Sequence, residues 1–382
     1  MVLTGAVLGS AAGAAPAPAV PWPTRAWPTA SPQSLGLDPV ALEALEREIA
    51  AGKYGYIDGV LLIRHGRIGF EQHFAHDYRA LFVGKGAPWI YNYYDPDWHP
   101  FYKGTALHTL QSVSKSVTST LIGIAIERGE IPDVNVAVMP YFAALRVAPD
   151  ARRDSLRLWH VLTMTTGIQW DEFSATYTDS RNNCAQMEAS KDWIQYVLDQ
   201  PMAAEPGATF VYNSGATELL AYILKKATGS NADDYARAHL FGPLGIRDFE
   251  WKHTPLDLPD TEGGLYLTPR DLAKLGLLFL HRGMWDGRQI VPAAWVEQST
   301  RWSIDTHWHA PGYGFQWWAL AGQNGAAPEA YAAVGYGGQY LIVVPRLDLI
   351  AVFTGWNIYD SRSLGIDVAL ERVRAMVGKA AR

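Results

Sequence analysis

The stretch QSVSKSVTSTLIGIAI at residues 111–126 holds the one position in the chain where a serine precedes a lysine by three residues. The apolar run from Val113 to Ile126 predicts a buried helix. On a helix, positions i and i+3 lie on one face with Cβ atoms about 5–6 Å apart, so we expect the amine of Lys115 to reach the hydroxyl of Ser112. A desolvated lysine can take the proton of a serine, and a helix N-terminus favours a developing oxyanion. The motif predicts that Ser112 is a nucleophile. The alternative is that the spacing of the serine and the lysine arose by chance.

Composition and charge argue against several classes of protein. The chain has 382 residues, of which 48% are hydrophobic and 18% charged, so it can bury a large core in two domains or one elaborated domain. A net charge of −6 without a basic block argues against binding to nucleic acid or anionic membranes. The single cysteine, Cys184, excludes intramolecular disulfides and argues against zinc–thiolate sites. No apolar run approaches the length of a membrane span.

The first 19 residues are rich in Ala, Gly, Val and Leu, and the positions around Ala14 and Ala19 would suit cleavage by a signal peptidase. No Lys or Arg precedes the apolar stretch. Two expectations stay open: a signal peptide that lacks its basic start, with an exported protein, or a disordered lead on a cytoplasmic protein.

Apolar, β-branched runs near both ends of the chain predict the fold. Residues 57–64 and 67–74, joined by His65-Gly66, predict a β-hairpin, and residues 339–344 and 347–354 predict a second pair of strands. Between these pairs the apolar residues mostly follow helical spacing. We therefore predict an α/β (α+β) fold, with one antiparallel sheet built from both ends of the chain and a helical insertion. The predicted helices are residues 40–51, 113–126, 156–164, 191–198, 217–226, 271–281 and 362–377.

These patterns also predict a division into domains. Residues 1–38 form a lead and a proline-rich arm, in which residues 21–32 contain four prolines and two tryptophans. Residues 39–131 and 270–382 form the predicted sheet domain, and residues 132–269 the mainly helical one. We expect the active site to lie between these two.

The stretch YNSG at residues 212–215 is a second candidate element, between a loop at residues 205–207 and a helical run from Thr217. A nearby cationic lysine would stabilise the phenolate of Tyr212, because an opposite charge favours the charged form. Such a tyrosine could carry a proton between nucleophile and leaving group. The alternative is a packed tyrosine with a hydrogen-bonded hydroxyl, as expected for most of the 19 tyrosines.

The stretch GYGGQ at residues 335–339 is a third candidate, because it opens the predicted strand 340–344. Glycines before a strand allow the backbone to approach a ligand closely. The first N–H groups of the strand could then join the N–H of Ser112 as an oxyanion hole. The alternative is an ordinary glycine turn.

Together these three motifs resemble the serine hydrolases of the β-lactamase and penicillin-binding-protein superfamily, in particular the class C-like branch of carboxylesterases and 6-aminohexanoate-dimer hydrolases. The resemblance runs from about Pro39 to Val377, and the stretches HVLTMTTG (residues 160–167) and GGLYLTPRDL (residues 263–272) support it. It implies a β-lactamase/transpeptidase-like fold and no metal or organic cofactor.

The resemblance also implies roles for the motif residues. Ser112 would attack an acyl carbon, Lys115 would keep the serine proton mobile, and Tyr212 would act as general base and then as acid. Water would later hydrolyse the acyl-enzyme. Five further residues are expected to bind the oxyanion or the substrate by their family position: Gly338, Gln339, Tyr336, Trp170 and Ser214.

Two departures from the family pattern bear on the substrate. Class C β-lactamases carry Tyr-x-Asn, whereas here the third position is Ser214 and the asparagine is Asn213. Where they carry Lys-Thr-Gly on the last strand, this chain has Gly-Tyr-Gly at residues 335–337 or Gly-Gly-Gln at residues 337–339. The missing cation would contribute about 1.5–3 kcal/mol to binding a β-lactam carboxylate, so efficient β-lactam turnover is disfavoured.

The expected function is hydrolysis of a small carboxylic ester, with short amides second because an alkoxide leaves more easily than an amine. The alternatives are a D,D-peptidase or weak β-lactamase, and a non-catalytic binding protein on the same fold. Some of the 15 tryptophans and 19 tyrosines could line an apolar substrate cleft, with candidates at residues 89–102, 170 and 317–318. The histidines at positions 73, 76, 307 and 309 predict no metal site, and the oligomeric state stays open.

Overall fold

The computed structural model describes residues 20–77, 80–81, 105–177, 179–306, 312–322, 328–358 and 362–377. The α-helices are α1 (Pro39–Ala50), α2 (Val113–Glu127), α3 (Ala151–Asp154), α4 (Leu158–Leu162), α5 (Asn183–Ala189), α6 (Trp193–Asp199), α7 (Ser214–Thr228), α8 (Ala232–Ala236), α9 (Pro269–Leu280), α10 (Ala293–Thr300) and α11 (Ile366–Ala375). A π-helical turn follows α8 (Arg237–Phe241), and 3-10 helices lie at Gln33–Leu35, Met139–Phe142 and Pro345–Leu347. The strands are β1 (Ile57–Arg64), β2 (Arg67–His73), β3 (His108–Thr109), β4 (Glu250–Trp251), β5 (Leu265–Leu267), β6 (Met284–Trp285), β7 (Arg288–Gln289), β8 (Ile304–Asp305), β9 (Gly312–Tyr313), β10 (Trp318–Ala321), β11 (Pro328–Gly335), β12 (Gln339–Val344) and β13 (Leu349–Gly355).

Strands from both ends of the chain form one antiparallel sheet, which confirms the predicted fold. Among the described residues this sheet has eight strands in the order β2-β1-β13-β12-β11-β10-β9-β8. Strand β1 pairs with β13, so that Val60 lies opposite Phe353. All residues of β1, β12 and β13 are buried, which is why these strands appear in the sequence as continuous apolar runs. Strand β11 was not predicted, because it begins with Pro328 and contains three alanines, which favour strands weakly.

Helices pack on the sheet where the sequence allows close approach. Helix α1 starts at Pro39, and the side chain of Asp38 caps it by accepting the N–H of Val40 at 2.9 Å. Helix α9 crosses β12 and β13 at Gly276, where an added Cβ would lie 2.8 Å from side-chain atoms of Leu341 and Ile350. A small residue therefore lets α9 lie directly on the strands.

The predicted helices are present, with boundaries shifted by their caps. Helix α7 begins at Ser214 rather than Thr217, because the side chain of Asn213 accepts the N–H of Ala216 at 2.9 Å. The last helix, α11, is shorter than the predicted 362–377, and α4 is shorter than the predicted 156–164. The last strand, β13, starts after a 3-10 turn at Pro345–Leu347 rather than at Leu347.

Helix α2 is buried from Val113 to Ala125, as the apolar run predicted. It packs against helix α7 on one side and strands β11 and β12 on another. The segment between residues 132 and 269 is mainly helical but also supplies β4 and β5, which join β3 in a small sheet of order β3-β5-β4. In the part of the chain described here, no helix combines the length and apolarity needed to cross a bilayer.

Candidate active site

The backbone before helix α2 turns sharply to place Ser112 at the start of the helix. Gln111 has a φ of 49°, in the left-handed region that non-glycine residues rarely adopt. Its side chain donates to Oγ1 of Thr109 at 3.0 Å, which supports this conformation. The N–H of Val113 donates to the carbonyl of Leu110 at 3.1 Å. The N–H groups of Ser114 and Lys115 donate to the carbonyls of Gln111 and Ser112 in the same way, and these bonds form the first turn of helix α2. Strain of this kind collects at functional sites, so the turn itself marks Ser112 as a candidate.

Lys115 reaches Ser112, which confirms the contact predicted from the i, i+3 spacing. Its Nζ donates to Oγ of Ser112 at 2.9 Å, to the carbonyl oxygen of Glu262 at 2.7 Å and to Oε2 of Glu262 at 3.1 Å. Burial acts to lower the pKa of Lys115, but the neighbouring Tyr212, Glu262 and Glu172 outweigh it and hold that pKa above its usual value. The surroundings therefore favour Lys115 as a fixed ammonium rather than as the base that takes the serine proton.

Tyr212 lies beside the same two residues. Its phenol hydrogen-bonds with the side chain of Ser112, and Nζ of Lys115 lies 5.2 Å from the centroid of its ring. The ring stacks on Trp318 at a centroid distance of 5.9 Å and packs against Phe173 at 5.5 Å. Burial raises the pKa of Tyr212, and the Lys115 cation and the Ser112 hydrogen bond offset part of that rise. The structure thus brings Ser112, Lys115 and Tyr212 together.

The backbone around Tyr212 is held by the HVLTMTTG stretch. The N–H of Val211 donates to the carbonyl of Met164 at 2.9 Å, and the N–H of Asn213 lies 3.4 Å from its sulfur. Met164 has a φ of 58°, so this loop turns sharply where it meets Tyr212. The stretch that supported the resemblance has a physical role, because it positions the phenol.

The glycine-rich stretch before β12 passes directly beside the turn that carries Ser112. An added Cβ on Gly335 would lie 2.3 Å from the carbonyl oxygen of Leu110, so only glycine permits this approach. Gly338 has a φ of 102°, a conformation that side chains other than glycine's rarely adopt. These glycines bring the stretch against the turn that carries Ser112, and the predicted close approach to a ligand stays a prediction.

A cavity of about 380 Å³ opens over Ser112. Its described lining is largely aromatic, with glycines at one edge, and no charged side chain belongs to it. Tyr336 closes part of this edge, with its hydroxyl donating to the carbonyl of Ile358 at 3.0 Å and its ring 5.2 Å from that of Tyr177. The aromatic lining residues are Phe173, Tyr177, Tyr212, Trp318, Tyr336 and Tyr340.

Of the five residues expected to bind the oxyanion or the substrate, Gly338 and Tyr336 line this cavity and three do not. The side chain of Gln339 is buried and bonds with both the N–H and the carbonyl of Gly355, so it braces the glycine turn against β13. The indole of Trp170 packs beneath Gly215 at the start of α7. Trp170 is buried core rather than cleft lining, because Gly215 leaves it room under the helix.

Glu172 holds both Trp170 and Ser214 in place, a role that its sequence pattern did not predict. Its Oε2 accepts from the N–H of Ser214 at 2.8 Å and from Nε1 of Trp170 at 2.5 Å. Its Oε1 accepts from Oγ of Ser214 at 2.9 Å and from the hydroxyl of Tyr177 at 3.0 Å. Burial raises the pKa of this carboxyl group. Glu172 therefore connects the cavity wall to the start of α7, and only its place between Trp170 and Phe173 in the sequence hinted at this.

Replacing Glu172 with leucine is expected to lower the free energy of unfolding by at least about 2 kcal/mol, because the N–H of Ser214 and the indole of Trp170 each lose their acceptor. Denaturant unfolding followed by fluorescence measures this. The control is Glu205→Leu at an exposed position, where a change within about 0.5 kcal/mol is expected. Equal stability of the two variants would show that Glu172 does not hold the wall.

The remaining aromatic and histidine candidates have simpler surroundings. Trp317 is fully buried against Phe279, whereas its neighbour Trp318 lines the cavity. His76 contacts the carbonyl of Ile57 at 3.1 Å. The aromatic segment 89–102 and the histidines at 307 and 309 lie outside the described residues.

Three groups near Lys115 have potential metal-ligand atoms within 4.8 Å of one another: the buried Cys184 and Glu262 and the half-buried Glu188. Glu262 is already paired with Lys115 and hydrogen-bonded to Glu188. A cation there would have to displace the ammonium, so the ion pair is the simpler account of the cluster.

The amino-acid sequence matches a known protein family. The sequence pattern of the family described as Beta-lactamase matches residues 70–355. The 6-aminohexanoate-dimer hydrolase of Paenarthrobacter ureafaciens is 26% identical over 304 residues, which cover 74% of each chain.

Solved structures show the same fold. EstCE1, described as a hydrolase with promiscuous acyltransferase activity, superposes with a TM-score of 0.67 at 16% identity, covering 91% of this chain and 99% of its own. A penicillin-binding protein of Bacillus halodurans superposes with a TM-score of 0.61 at 18% identity, covering 89% and 99%. At these identities the likeness concerns the fold alone.

Proposed function

Because the chain belongs to the β-lactamase family of serine hydrolases, we propose that it hydrolyses carboxylic esters, and secondarily short amides, through an acyl-enzyme on Ser112. The observation that carries this proposal is the contact of Ser112 with both Lys115 and Tyr212. A half-buried serine hydroxyl with a cation and a phenol at hydrogen-bond distance has what nucleophilic catalysis needs.

The proposed reaction uses Lys115 as an ammonium and Tyr212 as the phenolate. Tyr212 takes the proton of Ser112 as Oγ attacks the acyl carbon, and the phenol then gives that proton to the leaving alkoxide or amine. Water then loses a proton to Tyr212 and attacks the acyl carbon. The bond from that carbon to Oγ of Ser112 breaks, Tyr212 returns the proton to Ser112, and the acid is released. Lys115 lowers the cost of the phenolate throughout, because an opposite charge nearby favours the charged form.

We further propose that the oxyanion is bound by the N–H of Ser112 and by the first N–H groups of β12. Gly338 supports this, since it lines the cavity together with Ser112 at the start of that strand. Gln339 would act through its backbone N–H alone, because its side chain is engaged with Gly355. Such preorganised donors stabilise charge that develops in the transition state.

The lining of the cavity favours an uncharged, apolar substrate. Aromatic rings surround Ser112, and the described lining offers no cation for a carboxylate at the Tyr336–Gly338 edge. This disfavours D,D-peptidase and β-lactamase activity, which use such a cation. The paired Lys115 and Tyr212 count against a non-catalytic binding protein on the same fold.

One sequence relative supports the second of these substrates. It is a 6-aminohexanoate-dimer hydrolase, which favours short amides as the second substrate.

We also propose the predicted arrangement of domains, with residues 39–131 and 270–382 as one and 132–269 as the other. Ser112 and Tyr212 come from different predicted domains, and the glycine stretch from a third segment, which supports a site between the two.

Reaction with a fluorophosphonate, followed by peptide mass spectrometry, is expected to place the adduct on Ser112. A panel of a p-nitrophenyl ester, the 6-aminohexanoate dimer and nitrocefin is expected to give the highest kcat/KM for the ester and the lowest for nitrocefin. Fastest turnover of nitrocefin would favour the β-lactamase alternative. An enzyme inert to the whole panel and to the fluorophosphonate would favour the binding protein.

A further inference from the structure

Lys115 is paired with a carboxylate from a distant part of the chain. Glu262 lies in the connection between β4 and β5, 147 residues from Lys115, and both side chains are buried. Its carbonyl and carboxylate oxygens both accept from Nζ of Lys115, at 2.7 and 3.1 Å. Its N–H donates to Oε1 of Glu218 at 2.9 Å, which fixes the backbone from the other side. Glu262 is therefore held against Lys115 and has little freedom to turn away.

The contacts of Nζ fit two protonation states. An ammonium would donate to Ser112 and to both oxygens of Glu262. A neutral amine would donate to the two Glu262 oxygens and accept from the hydroxyl of Ser112. The carboxylate distinguishes the two, because a negative charge 3.1 Å from Nζ stabilises the ammonium far more than it opposes a phenolate farther away.

We propose that Glu262 is a positioning residue that holds the proton shared by Lys115 and Tyr212 on the lysine, and so leaves Tyr212 as the base for Ser112. This inference rests on the proposed function of Ser112. Glu262 is not part of the described cavity lining, and its hydrogen bonds from Nζ connect it to Ser112 by way of Lys115. Glu262 thereby decides whether Lys115 or Tyr212 carries the shared proton, and this transfer leaves the number of protons on the pair unchanged.

The charge of the cluster lies on Glu262. Burial acts to raise its pKa, but Lys115 and the hydrogen bond from Glu188 outweigh burial and hold the pKa below its usual value. Burial raises the pKa of Glu188 and Glu218 well above the usual range. The titratable groups facing the pair from the surrounding elements are Tyr212, Glu172, Cys184, Glu188, Glu218, Asp260 and Lys252.

Asp260 and Lys252 form the outer part of this cluster. Burial raises the pKa of Asp260 to about 7, with Glu262 adding to the rise and Lys252 opposing it. Burial lowers the pKa of Lys252 despite these neighbouring carboxyl groups. Asp260 can thus titrate near neutrality in the wild type, and Glu262→Gln is expected to lower its pKa because the neighbouring negative charge is lost.

The sign of the expected pH effect follows from the charge of Glu262. The carboxylate stabilises protons on the Lys115–Tyr212 pair, so its removal lets the pair lose its first proton at lower pH. The acid limb of kcat/KM reports that loss in the free enzyme. Removing the charge also lets the remaining proton move towards Tyr212, which lowers the fraction of the active form and hence the plateau.

The test is the pH profile of kcat/KM for a p-nitrophenyl ester and of the rate at which a fluorophosphonate labels Ser112. Glu262→Gln is expected to move the acid limb of both profiles down by about 1–3 pH units and to lower the plateau. Glu218→Gln is the matched control, because it makes the same change in the same cluster at a carboxyl group that accepts from Glu262 and Thr261 rather than from Lys115. Its limb is expected at the wild-type pH, with thermal unfolding confirming that both variants fold.

Glu262→Asp separates charge from packing. It keeps the carboxylate but withdraws it from Lys115, so its acid limb is expected between those of the wild type and Glu262→Gln. A folded Glu262→Gln with the wild-type limb would overturn the proposal, as would an unshifted Glu262→Asp if the glutamine variant does not fold. Failure of the wild type to be labelled at Ser112 would instead overturn the proposed function, so the two failures are distinguishable.

Discussion

Replacing Ser112 with alanine is expected to lower kcat/KM for a p-nitrophenyl ester by at least about 10⁴-fold, because no acyl-enzyme can form without Oγ. The fold should survive, since Lys115 keeps both of its contacts with Glu262. Initial rates on the ester, together with loss of the fluorophosphonate adduct, measure this effect.

The matched control lies on the same helix. Ser119 is buried, and its hydroxyl has no hydrogen-bond partner among the described residues. Ser119→Ala is therefore expected to keep both the fold and the turnover. If Ser112→Ala turned over the ester as fast as Ser119→Ala, Ser112 would not be the nucleophile.

Replacing Tyr212 with phenylalanine is expected to lower kcat/KM for the same ester by about 10²–10⁴-fold, the usual worth of a general base. The ring keeps its stacking on Trp318 and its contact with Phe173, so the change removes only the hydroxyl that bonds with Ser112. Slower labelling of Ser112 by the fluorophosphonate should accompany the lower turnover.

Tyr235→Phe controls for the loss of a tyrosine hydroxyl elsewhere. That hydroxyl bonds with Glu130 and lies outside the lining of the cavity, so wild-type turnover is expected. Wild-type turnover in Tyr212→Phe as well would assign the base to Lys115, and with it would fall the charge arrangement inferred for Glu262.

Elements with strong local signals were predictable from the sequence. Strands β1, β12 and β13 were visible as apolar runs because all their residues are buried, whereas β2 is only partly buried and was predicted through the hairpin that it forms with β1. Helix α2 was visible for the same reason. Strand β11 was not, since its alanines and leading proline favour no strand and only pairing with β10 and β12 makes it one.

The candidate site divides in the same way. The spacing of Ser112 and Lys115 predicted their contact, because three residues on a helix fix the distance between two side chains. The sequence position of Trp170 suggested a cleft residue, yet packing against Gly215 buried it. The burial of a loop residue depends on which distant segments pack against it, and its position in the sequence does not predict those segments.

The amino-acid sequence alone determined the sheet built from both ends, the buried helix and the serine with its lysine, because each follows from periodicity within a short segment. Only the tertiary structure decided the charge environment of that lysine. Glu262 approaches from 147 residues away and Glu172 ties Trp170 and Ser214 across the loop. Electrostatic effects depend on distances through space and on burial, and tertiary packing sets both. The assignment of Lys115 as the ammonium and Tyr212 as the base therefore follows only from the folded chain.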